Sequence, residues 1–175
     1  THLAIGDWVF CDPTVRSRDA DLAPDITLQG LSARGPGGLK LQQHFRHGSF
    51  AERMRLPTEN AKPIGRIDAQ EAAHWCALGT LLVPYGGFLA ANLQAGETVL
   101  ISGATGRFGS AAVAVALAMG AAAVVAPGRN ETMLAELQRR FGPRVRPVRL
   151  SGDENEDTER MMRAAPGPID CVLDI

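Results

Sequence analysis

Three glycines spaced three residues apart follow a short run of valine, leucine and isoleucine, and this spacing constrains the fold most. The apolar run covers residues 99–101, and the glycines are Gly103, Gly106 and Gly109. Alanines dominate the residues that follow, which favours a helix packed closely against its neighbours. Because glycine permits a tight turn and a close approach of helix to strand, the pattern predicts a strand, a turn and a helix in succession.

A turn of this kind suits a diphosphate, which must touch backbone N–H groups at a helix N-terminus where a Cβ would keep it away. The pattern is G-x-x-G-x-x-G, since Ala104 stands where the stricter motif has glycine. A glycine-rich turn without a ligand is the alternative, but the predicted strand before it and helix after it favour a bound dinucleotide. The predicted diphosphate contacts are Gly103, Ala104, Thr105, Gly106, Arg107, Phe108 and Gly109.

The end of the next strand indicates which dinucleotide is bound. NAD-specific sites place Asp or Glu there, roughly 20 residues after the glycine turn, to bond the ribose 2′-hydroxyl. Here the strand ends at Gly128, Arg129 and Asn130, with no carboxylate. Gly128 leaves room, and the Arg129 guanidinium suits a 2′-phosphate. The alternative is that Arg129 projects into solvent near a helix start, where the helix dipole disfavours a cation. We predict NADP(H), held in part by these three residues.

The second half of the chain alternates strand and helix. This alternation is typical of an α/β fold with a parallel sheet, here a partial Rossmann sheet. The apolar run 110–127 is long enough to suggest a membrane span, but Gly120 interrupts it and favours a buried helix followed by a buried strand. The predicted strands are 98–102, 122–126, 145–150 and 170–174, and the predicted helices are 107–119, 131–141 (capped by Asn130) and 158–164.

The first half of the chain is predicted to be strand and loop, followed by helix. We expect a turn and a strand over residues 5–10, then a long irregular excursion over 12–38 that carries many glycines and prolines. Alternating apolar and polar residues predict a half-exposed strand over 48–57. A helical pattern covers 68–91, with Asp68 as a cap and a break at Pro84, Gly86 and Gly87.

Charge and cysteine content narrow the function classes. The formal net charge is −1, which argues against nucleic-acid binding. The densest group of arginines is interpreted as a solvated surface. Three widely spaced cysteines, an odd number, favour reduced, buried thiols in a soluble cytoplasmic protein that does not bind membranes. The arginines of that group are Arg139, Arg140, Arg144, Arg146 and Arg149, and the cysteines are Cys11, Cys76 and Cys171.

Four stretches, in order, resemble the medium-chain dehydrogenase/reductase superfamily, and specifically its zinc-independent branch of quinone-oxidoreductase-like and alcohol dehydrogenase-like proteins. Residues 6–9 are similar to the family's G-D-x-V strand, and residues 48–52 to its G-[ST]-[FY]-A-E strand, with Glu59 and Asn60 in the linker that follows. Residues 78–86 resemble the stretch before the cofactor domain. Residues 96–101 resemble the strand that leads into the glycine turn.

The resemblance implies a partial GroES-like substrate domain over residues 1–66 and a Rossmann NADP(H)-binding domain over 67–175, incomplete at its C-terminus. It implies hydride transfer between nicotinamide and a small carbonyl, alcohol, quinone or activated alkene. It also implies a homodimer for the full-length protein, through Rossmann edge strands. The chain begins without Met and enters the first domain in its middle. We therefore expect a fragment that lacks most of the substrate pocket, which argues against activity of this chain alone.

No metal site is predicted. Zinc-bearing relatives carry a cysteine at the position that matches Gly79, whereas Cys76 lies three residues earlier. The remaining cysteines and histidines lack the spacing of a three-ligand catalytic site. Tyr85 resembles a residue that flanks the nicotinamide pocket in relatives and is the one catalytic candidate in this sequence. The alternative is a tyrosine that packs at a helix end with its hydroxyl bonded.

Two other functions stay open. One is an atypical short-chain reductase, whose turn reads G-A-T-G-x-x-G. That family begins near its glycine turn, whereas here residues 1–102 precede it. The other is a redox sensor or structural module that binds NADP(H) without turnover.

Overall fold

The computed structural model describes residues 3–18 and 22–175 of the chain. The chain divides into two compact units, Thr1–Trp75 and Cys76–Ile175. Each unit has its own sheets.

The first unit combines small antiparallel sheets with helices. Strand β1 pairs with β5, while β2, β3 and β4 form a three-stranded meander in chain order. Because these strands are only two or three residues long, they provide few ladder hydrogen bonds. The elements are β1 (Val9–Cys11), β2 (Thr14–Arg16), β3 (Ile26–Leu28), β4 (Ser32–Ala33), α1 (Gly35–Phe45), a 3-10 turn (Thr58–Asn60), β5 (Ala61–Pro63) and α2 (Ala69–Cys76).

A buried glutamine organises the segment that follows α1. The Gln29 side-chain amide nitrogen lies 3.0 Å from the Phe45 carbonyl, 2.8 Å from that of His47 and 2.6 Å from that of Arg55. The amide has two protons, so the three carbonyls share them. Gln29 therefore ties the end of α1 to both ends of the segment 46–57.

Two predictions for this unit are wrong, and one is confirmed. The turn and strand near residue 9 form as expected. The excursion over 12–38 contains β2, β3, β4 and the start of α1, although residues 19–21 lie outside the described part. Residues 48–57 form no strand, and Phe50 is fully exposed. Alternation alone does not make a strand, because a strand also needs a partner ladder, and Gln29 bonds this segment instead.

The second unit is a four-stranded parallel sheet covered by helices. The strand order is β8-β7-β6-β9, and every pairing is parallel. The predicted α/β fold with a Rossmann-type parallel sheet is thus confirmed. The elements are α3 (Leu78–Ala90), β6 (Thr98–Ser102), α4 (Arg107–Ala118), β7 (Ala123–Gly128), α5 (Glu131–Phe141), β8 (Val145–Arg149), α6 (Glu154–Ala164) and β9 (Cys171–Asp174).

The topology brings all four carboxyl strand ends to one edge of the sheet. From β6 the chain steps outward to β7 and β8, then returns to place β9 on the other side of β6. Because such crossovers are right-handed, α4 and α5 cover one face and α6 covers the other. The order of strands reverses between β6 and β9, and crevices for ligands form at that point in open parallel sheets.

A continuous apolar core fills the second unit. Small residues on the buried face of α4 allow it to approach the sheet closely. Helix α3, which packs on α4, runs through Pro84 without interruption, so the predicted break is wrong. Pro84 and Phe88 are buried, and this packing outweighs the backbone hydrogen bond that proline cannot make. Buried core residues include Phe88, Val99, Ile101, Ala112, Val113, Ala116, Val124, Val145 and Cys171.

Helix ends in the second unit follow capping side chains. Asn130 caps α5 as predicted, since its side-chain oxygen accepts a bond from the Met133 amide at 3.1 Å. Helix α6 begins earlier than the predicted residue 158, because Asp153 accepts from the Glu156 amide at 2.9 Å and starts the helix there.

The three cysteines are free but differ in environment. Cys171 is buried, Cys11 is half-buried and Cys76 is exposed. The expectation of buried thiols is therefore wrong for Cys76, because α2 has no buried residue. Burial raises the pKa of the Cys11 and Cys171 thiols, so both favour the protonated form.

The surface agrees with the charge pattern of the sequence. The five clustered arginines between residues 139 and 149 are all exposed, as the predicted solvated surface requires. Among the described residues, no helix combines the length and the apolar character needed to cross a bilayer.

Candidate functional site

The glycine turn lies at the carboxyl end of β6 and leads directly into α4. The Gly106 amide donates to the Gly103 carbonyl at 2.8 Å, and the Ser110 amide donates to the Gly106 carbonyl at 2.8 Å. These two bonds close the turn and begin the helix. The turn therefore sits at the sheet edge where parallel α/β folds bind ligands.

Two positions in the turn accept only glycine. Gly103 has a φ of +71°, and a Cβ there would lie 2.5 Å from the Ile175 carbonyl oxygen. A Cβ on Gly109 would lie 2.0 Å from the Gly103 carbonyl oxygen and 2.8 Å from the Ala104 Cα. Both clashes are with backbone, which cannot move aside as a flexible side chain can. These glycines let the turn fold back against the first turn of α4.

The start of α4 is open to an anion. Gly106 occupies the N-cap position, and no side chain caps this helix within the described residues. The first amides of a helix have no intrahelical acceptor and carry the positive end of the helix dipole. A phosphate placed there would accept their hydrogen bonds.

Ala104 departs from the stricter glycine motif for a structural reason. Its side chain is fully buried in the core of the second unit. Its methyl group is therefore packed in the core and is not exposed to a ligand at the surface. Of the predicted diphosphate contacts, Ala104 can offer only its backbone.

The end of β7 lies beside the glycine turn. A Cβ on Gly128 would come 3.5 Å from the Thr105 Cγ2 and 3.1 Å from the Leu134 Cδ2. The structure thus brings the two predicted groups of cofactor residues together. Gly128 keeps the space between them open, since a larger residue would press on Leu134. The Asn130 side-chain oxygen is already engaged in capping α5.

Two arginines at this edge have uncommitted guanidinium groups. Arg129 follows β7 and Arg107 begins α4, and both are exposed. Neither guanidinium forms an ion pair or hydrogen bond within residues 3–18 and 22–175. Arg129 is therefore available to a phosphate next to the end of β7.

The structure adds to the site two residues that the sequence analysis did not assign to it, one of which, Arg149, was interpreted as part of a solvated surface. Arg149, the last residue of β8, forms an ion pair with Glu131, the first residue of α5. Arg149 is in register with Gly128, so the pair stands directly beside the predicted site. The signal available in the sequence was the position of Arg149 at a strand end.

Tyr85 and the potential metal ligands are less informative. Tyr85 lies within α3, is 42% exposed, and its hydroxyl has no hydrogen-bond partner in the described part of the chain. It is therefore not the packed, bonded tyrosine of the alternative interpretation. Across the described residues, no three His, Cys, Asp or Glu side chains lie together as a metal site would require.

Comparisons with known proteins place this geometry in context. No family model matches the sequence. Over 85 residues the chain is 41% identical to a highly reducing polyketide synthase of Arthrinium phaeospermum. The matched region covers 48% of this chain and 3% of that protein. A solved structure described as an alcohol dehydrogenase of Sinorhizobium meliloti matches with a TM-score of 0.64 and 33% identity, over 94% of this chain and 40% of that one.

Galactitol-1-phosphate dehydrogenase of Escherichia coli matches with a TM-score of 0.68 and 20% identity, over 93% of this chain and 44% of that one. At this identity the match supports the fold alone. The chain spans less than half the length of each of these relatives.

The parallel sheet and its glycine turn define a Rossmann-type α/β protein. The match at 33% identity to the structure described as an alcohol dehydrogenase supports the resemblance of the chain to the medium-chain dehydrogenase/reductase superfamily.

Proposed function

We propose that the chain forms the NADP(H)-binding part of an oxidoreductase. The enzyme would transfer hydride between nicotinamide and a carbonyl, alcohol, quinone or activated alkene. The observation that carries the proposal is the junction of the glycine turn with the end of β7, where Thr105 meets Gly128 and the Arg129 guanidinium is uncommitted. The similarity to a protein described as an alcohol dehydrogenase supports the reaction class.

The residues at this edge divide the binding of the dinucleotide among them. The first amides of α4 would donate to the diphosphate, and Gly103 and Gly109 keep the turn close to the helix. Gly128 leaves room for the ribose. Arg129 would donate to the 2′-phosphate, a charge-assisted bond that NAD(H) cannot form. When bound, the nicotinamide supplies the hydride, and the protein supplies orientation.

A titration with both reduced nucleotides tests the preference. We expect the chain to bind NADPH at least about tenfold more tightly than NADH, because a hydrogen bond to a charged group contributes about 1.5–3 kcal/mol. The Arg129→Ala variant should lose that preference. Arg146→Ala is the matched control, since Arg146 is also exposed and lies one strand away in β8. Comparable affinities that Arg129→Ala leaves unchanged would refute the NADP(H) assignment.

We also propose that the reaction needs no zinc. Gly79 stands at the position where zinc-bearing relatives carry a cysteine, and the described cysteines lie in three separate elements. A structural or catalytic zinc requires several ligands in one place. A zinc site would hold one ion per chain. In purified protein that binds nucleotide at full capacity, metal analysis should find at least about fivefold less zinc than that. Stoichiometric zinc would contradict the proposal.

A second candidate is a reductive step in polyketide assembly, favoured by the 41% identity to a highly reducing polyketide synthase. The substrate would then be an activated alkene or carbonyl on a thioester-bound chain. Single-turnover loss of absorbance at the nicotinamide band, with quinones, enals and unsaturated thioesters in parallel, separates the candidates. Turnover of the thioester alone favours the polyketide role, and turnover of the quinone favours the first candidate. Measured on the full-length protein, binding without any turnover would indicate a nucleotide-binding module.

A further inference from the structure

An ion pair closes a ring around the segment proposed to hold the 2′-phosphate. Arg149 ends β8 in register with Gly128 at the end of β7, and the Leu150 amide donates to the Gly128 carbonyl at 2.9 Å. Glu131 begins α5, two residues after Arg129, and its carboxylate receives the Arg149 guanidinium. The chain segment 128–131 and the end of β8 therefore form a closed loop, and Arg129 lies on it.

The position of Arg149 is fixed from a second side. Its carbonyl accepts a bond from the Arg160 guanidinium at 3.0 Å, and Arg160 is itself paired with Glu156 at 2.5 Å. Helix α6 thus holds the end of β8 while the side chain of Arg149 reaches α5. The pair is exposed, with 57% of the arginine and 68% of the glutamate side chain accessible, so a ligand at this edge can reach it.

A carboxylate at this end of the second strand has opposite effects on the two nucleotides. It accepts a hydrogen bond from the 2′-hydroxyl of NAD(H). It repels the 2′-phosphate of NADP(H), whose charge is of the same sign. Glu131 is not in the strand itself but begins α5 three residues after Gly128, so it brings a carboxylate to the same edge, where Arg149 pairs with it.

We propose that Glu131 is a latent ribose-binding carboxylate and that its ion pair with Arg149 sets the preference for NADP(H). This inference rests on the proposed function of the same site. With the pair intact, the uncommitted guanidinium groups of Arg107 and Arg129 leave this edge with a net positive charge. Without Arg149, the Glu131 carboxylate is free to repel the 2′-phosphate and to accept from a 2′-hydroxyl. Arg149 is therefore a specificity-determining residue that acts through Glu131.

The test measures the ratio of the NADH and NADPH dissociation constants in the 175-residue chain and its variants. Arg149→Gln should lower this ratio about tenfold, the effect of exposing one charge. Arg149→Lys keeps the charge and should stay within about threefold of wild type. The double variant Glu131→Gln/Arg149→Gln should recover the ratio of Glu131→Gln alone. Arg163→Gln is the control, since Arg163 pairs with Glu159 on α6 at 3.6 Å.

Two results would overturn the inference. One is a ratio of dissociation constants that Arg149→Gln leaves unchanged. The other is a double variant whose ratio is as low as that of Arg149→Gln alone, which would mean that Glu131 plays no part. Circular dichroism establishes that each variant folds. If Arg149→Gln does not fold, Glu131→Gln decides, because weaker NADPH binding in that variant contradicts a masked carboxylate. A wild-type chain that binds neither nucleotide removes the proposed function, whereas binding with an unaltered ratio removes only this inference.

Discussion

The two units of the chain satisfy their backbone polar groups in different ways. In residues 76–175, strands of four to six residues pair in one parallel sheet, so most backbone groups bond each other. In the first unit the strands are two or three residues long. Side chains replace the missing ladder there. The Gln29 amide bonds three carbonyls, and the Asn60 amide bonds those of Asp12 and Thr14 at 2.9 and 2.8 Å.

The same difference appears in the burial of apolar side chains. Within the described part of the first unit, the buried apolar side chains are Val15, Pro57 and Ala61. The second unit buries a continuous core from α3 to β9. Hydrophobic burial is the dominant favourable term in folding, so the stability of the chain should be concentrated in the unit that carries the candidate site. A rigid scaffold there is what a nucleotide site needs.

The largest expected effect compares one residue type in the two units. Phe88 is completely buried against the core, whereas Phe50 in the first unit is fully exposed. Phe88→Ala should lower the free energy of unfolding by about 3–5 kcal/mol, because it removes buried contacts and leaves a cavity. Phe50→Ala should change it by less than about 0.5 kcal/mol. Guanidinium denaturation measures both, and similar losses in the two variants would contradict the assignment of the core.

A smaller effect is expected from adding one methyl group to the glycine turn. Gly109→Ala places a Cβ 2.0 Å from the Gly103 carbonyl oxygen, so the turn must open, at a cost of about 3 kcal/mol. Gly86→Ala is the control, since Gly86 lies within α3 and a Cβ there meets no atom within 4 Å. That change should stabilise the helix by about 0.5–1 kcal/mol. Equal behaviour of the two variants would show that the turn is not closed as described.

The first unit should be sensitive to the loss of a single polar side chain. Gln29→Leu leaves three carbonyls without their donor and should destabilise this unit by about 2 kcal/mol. Limited proteolysis should then cut the segment 46–57 faster than in wild type. Gln43→Leu is the control, because Gln43 is exposed on α1. Unchanged cleavage in Gln29→Leu would indicate that other contacts hold the segment.

The second unit was largely predictable from sequence, and the first unit was not. Buried parallel strands are continuous apolar runs, so the strand at residues 98–102 and the glycine turn could be recognised directly. Strands of two or three residues carry no readable period, which explains the error over residues 12–38. The segment 48–57 has the right alternation, but whether such a segment pairs depends on distant residues.

In the candidate site, too, the sequence predicted local features but not contacts between distant residues. Its glycines could be predicted because a tight turn requires them, and Arg129 because a 2′-phosphate needs a nearby positive charge. Both requirements are local in the sequence. The pairing of Glu131 with Arg149 could not be predicted, since it depends on the register of β7 against β8, which places residues 18 positions apart side by side. The continuity of α3 through Pro84 was missed for a related reason, because the packing that supports it is not local.

The smallest expected effect is a pH dependence carried by Asp157 in the second unit. Its carboxylate is buried and accepts bonds from the Ser151 amide at 2.6 Å, the Ser151 hydroxyl at 2.9 Å and the Gly152 amide at 3.0 Å. Above all the bond from the Ser151 amide holds the pKa of Asp157 below its usual value, although burial acts in the opposite direction. Because the folded-state pKa is the lower one, the carboxylate stabilises the fold above its unfolded pKa of about 3.9.

This stabilisation should be lost as the pH falls through the folded-state pKa of Asp157. Asp157→Asn should therefore lower stability at neutral pH and flatten its decline in acid, as measured by denaturation at a series of pH values. Glu154→Gln is the control, since Glu154 lies in the first turn of α6 and its side chain bonds none of the described residues. An acid decline that is as steep in Asp157→Asn as in wild type would mean that the three bonds contribute nothing specific to the charged form. The turn after β8 would then be held by Arg160 and the register with β7 alone, and the end of β8 would depend less on α6 than its contacts indicate.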